Sequence, residues 1–199
     1  MDLFLASLTT FFLFTAFVPY VRDMLRGTTK PERASWFIWA ILGSIALSSQ
    51  YAEGAQWSLV FPTLDTFFGI VIFGFSIKYG MGGFTRRDKA SLGVAAFGLL
   101  IWYITSEPLV ALIIVIAIDA AGSYLTVTKA YEAPESETMF SWVMTALAGI
   151  PALLAVGDWS FALAVYPVYI VFANASVPIA IYLGKKREDR SLRATLGEK

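Results

Sequence analysis

"RGTTKPERASWFIW", residues 26–39, changes character at Ala34. A charged run broken by glycine and proline gives way at once to an apolar run carrying Trp36 and Trp39. With Arg22 just upstream, the basic residues Arg22, Arg26, Lys30 and Arg33 press against that apolar segment. Residues 131–142, "YEAPESETMFSW", carry a paler copy of the same pattern. How these two stretches are read decides the fold.

The surrounding composition sets the frame. The chain has 199 residues, 57% of them hydrophobic and 15% charged, where a soluble domain carries about 25% charged residues. The apolar excess lies in long blocks almost free of charge, of the roughly 20-residue length that crosses a hydrocarbon core about 30 Å thick. The sequence therefore reads as an integral membrane protein. It contains no cysteine and no histidine, which excludes a disulfide framework, a thiol nucleophile, a histidine base and histidine-ligated metal or haem. No cofactor and no metal are expected. The opening "MDLFLASLTTFF" has no basic segment before its apolar stretch, so it reads as a retained span and not as a secretory signal.

Seven spans are expected, at 2–21, 34–51, 57–80, 90–106, 108–128, 139–156 and 159–183. Only "TSEP" divides the fourth from the fifth, and Pro108 suits the first turn of a helix. With this count the connections 22–33, 81–89, 129–138 and everything after Leu183 fall on one side. Together with Lys78 they hold all 15 Lys and Arg residues. The other side receives Asp2, Glu53, Glu107 and Asp158 and no basic residue. Short basic connections stay cytoplasmic, so the N-terminus is placed outside and the C-terminus inside. Trp36 and Trp39 then lie near headgroup level, where indole rings are enriched.

The paler copy points to a duplication. Setting Lys30 over Ala133 brings Pro31 onto Pro134, Glu32 onto Glu135, Phe37 onto Phe140 and Trp39 onto Trp142. After one residue of slippage, Trp57 lies over Trp159, and "PYVRDMLRG" upstream lies over "SYLTVTKAY". The matches fall in spans one to three and five to seven, leaving the fourth as a linker. An odd linker gives both halves the same orientation, related by an axis along the membrane normal. The expected fold is all-α: a first three-helix repeat (1–80), a cytoplasmic loop plus linker helix (81–107), a second repeat (108–184) and a cytoplasmic tail (185–199).

This 3+1+3 plan, with "PYVRDMLRGTTKPERAS" after the first span, resembles the PQ-loop superfamily, which includes the SWEET sugar facilitators and lysosomal amino-acid exporters. The family motif is a Pro-Gln at the inner end of a repeat's first helix, a basic loop, and a serine opening the next helix. Pro19, Lys30 and Ser35 match it, whereas Tyr20 stands in place of the glutamine and the second repeat has Ser123-Tyr124 without proline. The resemblance implies the fold and, in general terms, carriage of a small solute. It also implies that an asparagine in the last helix lines the cavity. Asn174 matches that position, while Ile72 occupies the equivalent place in the first repeat.

Two acids lie inside spans, Asp119 roughly 17 Å and Asp65 roughly 12 Å from the outer ends of their spans. An ionised carboxylate at such depth needs a partner, water or a proton, and such groups usually face a bundle interior or a wet cavity. No Lys or Arg lies at matching depth. One reading makes these acids proton- or solute-binding groups. The other makes them neutral carboxyls bonded to neighbouring helices through Thr63, Ser123 or Tyr169. Asn174 similarly either lines a path or joins helices. Pro19, Pro62, Pro151, Pro167 and Pro178 fall within or at the ends of spans, where each kinks a helix or frees carbonyls. Pro19, Pro151 and Pro178, with Tyr20, Pro31, Ser35 and Pro134, make up the candidate hinge and motif set. Trp36, Trp39 and Trp142 are candidates for a cavity wall, or else for the interfacial belt. "GMGGFTRR" at 80–87 reads as a flexible cytoplasmic linker, since a phosphate-binding loop needs a strand before it.

The expected function is a non-enzymatic transporter or facilitator of a small polar solute such as a sugar, amino acid or nucleoside. It would work by alternating access at a midplane site, with room for proton coupling through an acid. The alternative is a non-transporting scaffold, sensor or complex subunit. The expected setting is a bacterial-type inner membrane, with the lipid bilayer and a small solute as partners, a homo-oligomer left open, and no nucleic acid.

Overall fold

A computed structural model describes residues 2–52, 60–104, 108–154 and 161–196. Among them are seven α-helices, as the apolar blocks required: α1 (Asp2–Leu25), α2 (Arg33–Ala52), α3 (Val60–Tyr79), α4 (Arg86–Ile104), α5 (Pro108–Glu132), α6 (Met139–Leu154) and α7 (Phe161–Leu196). A short 3-10 turn, Pro134–Ser136, precedes α6. The stretches Leu3–Leu25, Ile113–Glu132 and Val168–Arg193 are long and apolar enough to cross a membrane, and α6 is apolar but shorter. The outer surface is strewn with exposed apolar side chains, Phe4, Phe11, Phe67, Phe97, Phe172 and Ile179 among them. That surface suits lipid and would be a liability in water. Glu53, Glu107, Asp158 and the Trp57–Trp159 match lie outside the described residues.

Local chemistry sets the helix ends. Pro108 opens α5, where its missing N–H costs nothing. Thr85 and Asp88 cap α4 reciprocally: the Asp88 amide donates to Thr85 Oγ1 at 3.2 Å and the Thr85 amide to Asp88 Oδ2 at 2.7 Å. This is a capping box, which satisfies two otherwise orphaned donors. Pro19 lies within α1 and Pro151 within α6.

Two readings are corrected. The stretch from Lys185 does not leave the last helix as a separate tail; α7 runs on to Leu196, a helix of 36 residues. After Gly184 that stretch is rich in Lys, Arg, Glu, Leu and Ala, which favour helix, and Gly and Pro do not recur before Leu196. The segment "GMGGF" is likewise no free linker. Met81 pairs with the first loop, its amide donating to Pro31 O at 2.9 Å and its carbonyl accepting from the Arg33 amide at 3.0 Å. Gly83 donates to Asp88 Oδ2 at 2.7 Å.

Arg33 completes this join. Its guanidinium donates to the carbonyls of Ser76 (3.1 Å), Ile77 (3.3 Å), Gly80 (3.2 Å) and Gly82 (3.1 Å). Those carbonyls lie at and just past the end of α3, where most acceptors lack an intrahelical partner, and a cation there also complements the helix dipole. One side chain therefore ties the start of α2 to the end of α3.

Helix neighbours follow a pattern. α3 packs against both α1 and α2, and α7 against both α5 and α6. Across the middle, α1 packs on α6 and α2 on α5, while α4 lies against α5 and, more lightly, α2. Association inside lipid relies on close packing, since lipid is as apolar as leucine. Glycines permit it: a Cβ on Gly43 would stand 2.6 Å from Thr66 Oγ1, and one on Gly149 2.8 Å from Val171.

Candidate functional site

Among the described residues, side chains from six helices, all but α4, wall one cavity of about 140 Å³. At 10–15 Å³ per water-sized probe, that is room for roughly ten waters or one small solute. Leu13, Ala16, Phe17, Phe68 and Ile170 give it apolar walls. Asp65, Asp119, Ser123, Ser141, Thr145 and Asn174 supply polar groups, and among the described residues no Lys or Arg lines it.

Here the candidates from the sequence come together. Asp65, Asp119, Ser123, Asn174, Tyr20, Trp36, Trp39 and Trp142 all line the cavity. Asp119 is buried, and its Oδ2 accepts the hydroxyl of Tyr169 at 2.8 Å and that of Ser123 at 3.3 Å. Two expected neighbours thus hold it, one from the next turn of α5 and one from α7. Asp65, on the α3 wall, has no hydrogen bond or ion pair with any described residue. Asn174 donates to Ile170 O at 2.9 Å, one turn back along α7.

The tryptophans form a cluster with Tyr20. Ring centroids lie 5.2 Å apart for Trp36–Trp39, 5.5 Å for Tyr20–Trp36 and 6.1 Å for both Trp36–Trp142 and Trp39–Trp142. Three buried polar atoms on the wall make no well-formed hydrogen bond with the described residues: Tyr20 Oη, Trp36 Nε1 and Ser141 Oγ. Below the rings the cavity is shut by a core in which Met24, Ala130 and Ile181 are fully buried against Tyr20, Trp142 and Val177.

Beneath that core lies the end carrying the basic connections, and most of the buried polar residues gather there. Lys129 and Glu137 form a buried ion pair. Glu137 Oε2 also accepts the Trp142 indole N–H at 2.8 Å, and Lys129 donates to Lys30 O. The Lys30 amide reaches Ser136 O at 2.9 Å, Thr29 bonds Thr138, and Thr138 donates to Asp23 Oδ2 at 3.1 Å. The loops after α1 and α5 are therefore stitched together.

Of the motif residues Tyr20 lines the cavity, whereas Ser35, Pro31 and Pro134 belong to the stitched end. Ser35 bonds Glu32 Oε2 through its amide at 2.7 Å, and its hydroxyl reaches Gly122 O at 2.7 Å, joining α2 to α5. Burial pushes the Glu32 carboxyl above the usual range, against the pull of its two bonds from Ser35. Pro31 and Pro134 are buried in the two loops. Pro19 is half-buried beside Tyr20, Pro178 is buried beside Val177, and Pro151 is buried in α6.

Sequence reasoning missed Ser141 and Thr145 on the wall and the Lys129–Glu137–Trp142 chain. A lysine at a helix end with a glutamate eight residues on reads as an ordinary solvated loop. The one available hint was the aligned loops themselves, whose second copy keeps a single lysine. No family model, curated protein or solved structure matches this chain.

Proposed function

We propose that the chain is a seven-span carrier of a small polar solute in a cell membrane of the bacterial inner-membrane type, built as a 3+1+3 duplication. Its N-terminus would lie outside and its C-terminus inside, so that the basic end faces the cytoplasm. The observation that carries the reading is the cavity. Among the described residues it is walled by three helices from each half and none from α4, with Asp65 and Asp119 on its surface. Paired contacts support the duplication: α1 on α6 mirrors α5 on α2, and the aligned pair Trp39 and Trp142 meet at 6.1 Å. A cavity between two like halves, closed at one end by a polar seam, suits alternating access. The architecture is also the one implied by the PQ-loop resemblance.

The test is solute uptake and proton movement in proteoliposomes, for wild type and Asp119→Asn, across sugars, amino acids, nucleosides and amines. Saturable uptake lost in a folded mutant is expected. Absence of flux for every solute, with a folded wild type, would move the assignment to a scaffold or complex subunit.

A further inference from the structure

We infer that the cavity is a binding site for a small organic cation that also carries a hydrogen-bond acceptor, of the hydroxyalkylammonium type. The inference rests on the same cavity as the carrier reading and names what it holds.

Three independent features converge. The first is charge: among the described residues the wall holds two carboxylates and no basic group. A carboxylate at membrane depth calls for compensation. Asp119 is buried with two hydroxyl donors, whereas Asp65 is exposed and has no hydrogen bond or ion pair among the described residues, so a cation reaching Asp65 supplies what the protein lacks. The second is the rings. Tyr20, Trp36, Trp39 and Trp142 meet on one part of the wall, at centroid separations of 5.2–6.2 Å. Aromatic faces are negative, and clustered Trp and Tyr faces are a favourable surface for ammonium groups.

The third feature fixes the other end of the ligand. Tyr20 and Ser141 are each 3% exposed; the Ser141 hydroxyl has no partner among the described residues, while the Tyr20 hydroxyl and the Trp36 indole N–H lie near each other, and Tyr20 near Glu137, without a well-formed hydrogen bond. An indole N–H can only donate, and the two hydroxyls can. Buried donors left unmet are costly and uncommon. An acceptor oxygen on the ligand would satisfy them. Other solute classes fit less well. A neutral sugar would meet the donors and donate hydroxyls to the acids but leave their charge unneutralised, and an anion would be repelled by them. The cavity volume of about 140 Å³ limits the ligand to a small molecule.

Choline has the required cation and hydroxyl, and 3,3-dimethyl-1-butanol is its neutral isostere. Calorimetric titration of the purified full chain in detergent, with both probes at fixed ionic strength, separates charge from shape. Saturable choline binding is expected, at least about tenfold tighter than the isostere and weakened at least about tenfold in Asp65→Asn. Trp142→Leu should weaken it too; if that variant fails to fold, the isostere comparison and Asp65→Asn still decide. An isostere that binds like choline, or choline binding untouched by Asp65→Asn, would overturn the inference. The two readings fail separately. Choline binding without flux of any solute sinks the carrier and keeps the cation site. Saturable uptake of a neutral sugar by a chain that ignores choline does the reverse.

Discussion

Trp142 faces the cavity and donates its indole N–H to Glu137 at 2.8 Å, so a ring on the cavity wall is held by one member of a buried ion pair. The pair's other member, Lys129, grips the Lys30 carbonyl in the loop after α1. The chain of contacts runs from the cavity wall to the seam between the two loops. In a carrier of this form, opening the basic end would require parting Lys129 from Lys30.

Removing one charge of that pair should be expensive. The Lys129 and Glu137 side chains are 8% and 0% exposed. Glu137→Ala strands a buried ammonium, at a cost of about 3–5 kcal/mol. Lys129→Met combined with Glu137→Ala should recover most of the loss. Unfolding of the purified chain in mixed micelles checks this, and a double variant as weak as the single one would refute it.

Arg33 should not be replaceable by lysine. Its fork reaches four carbonyls at the end of α3, and an ammonium cannot span them. Arg33→Lys is expected to lose about 1–3 kcal/mol locally. Hydrogen exchange should speed up at residues 76–83 and stay unchanged along α7.

Gly82 has φ +74°, and a Cβ there would stand 2.0 Å from Glu32 Oε1. Gly82→Ala combines backbone strain with a clash and should cost about 1–3 kcal/mol. Gly93, inside α4 with open space around it, is the control. Gly93→Ala should be neutral or stabilising, by up to about 1 kcal/mol. Equal melting shifts for the two variants would contradict the assignment.

Glu32 carries a pH signature. Burial raises its carboxyl above the unfolded value, with Ser35 opposing, Asp88 adding to the rise and Lys129 opposing it. Folding then favours the protonated form. Its contribution is fully present below the ordinary glutamate value of about 4.3 and is lost as pH rises through the raised folded value. Glu32→Gln keeps an acceptor for the Ser35 amide and removes the titration. Relative to this variant, wild type should lose melting temperature as pH rises over that window; parallel pH profiles would dismiss the idea.

Helix identity and placement were legible in the sequence. The expected span 34–51 became α2 at Arg33–Ala52, and Pro108 opens α5 as its missing N–H requires. The last helix ran past its apolar stretch, because hydropathy marks where lipid solvation ends and not where helix propensity does. Asp65, Asp119 and Asn174 stand out because polar groups are conspicuous in apolar runs, and of the neighbours the sequence offers for them, Thr63, Ser123 and Tyr169, the fold brings Ser123 and Tyr169 onto Asp119.

What the sequence by itself determined is what depends on neighbours a few residues away: apolar blocks, helix starts, capping residues and the repeated loop pattern. Tertiary structure alone decided that Trp36, Trp39 and Trp142 share a wall, that Lys129 and Glu137 are buried, and that Arg33 caps α3. The physical reason is range. Hydropathy and propensity act along the chain, whereas the burial of a charge depends on which distant loop closes over it, and that is fixed only when the helices pack.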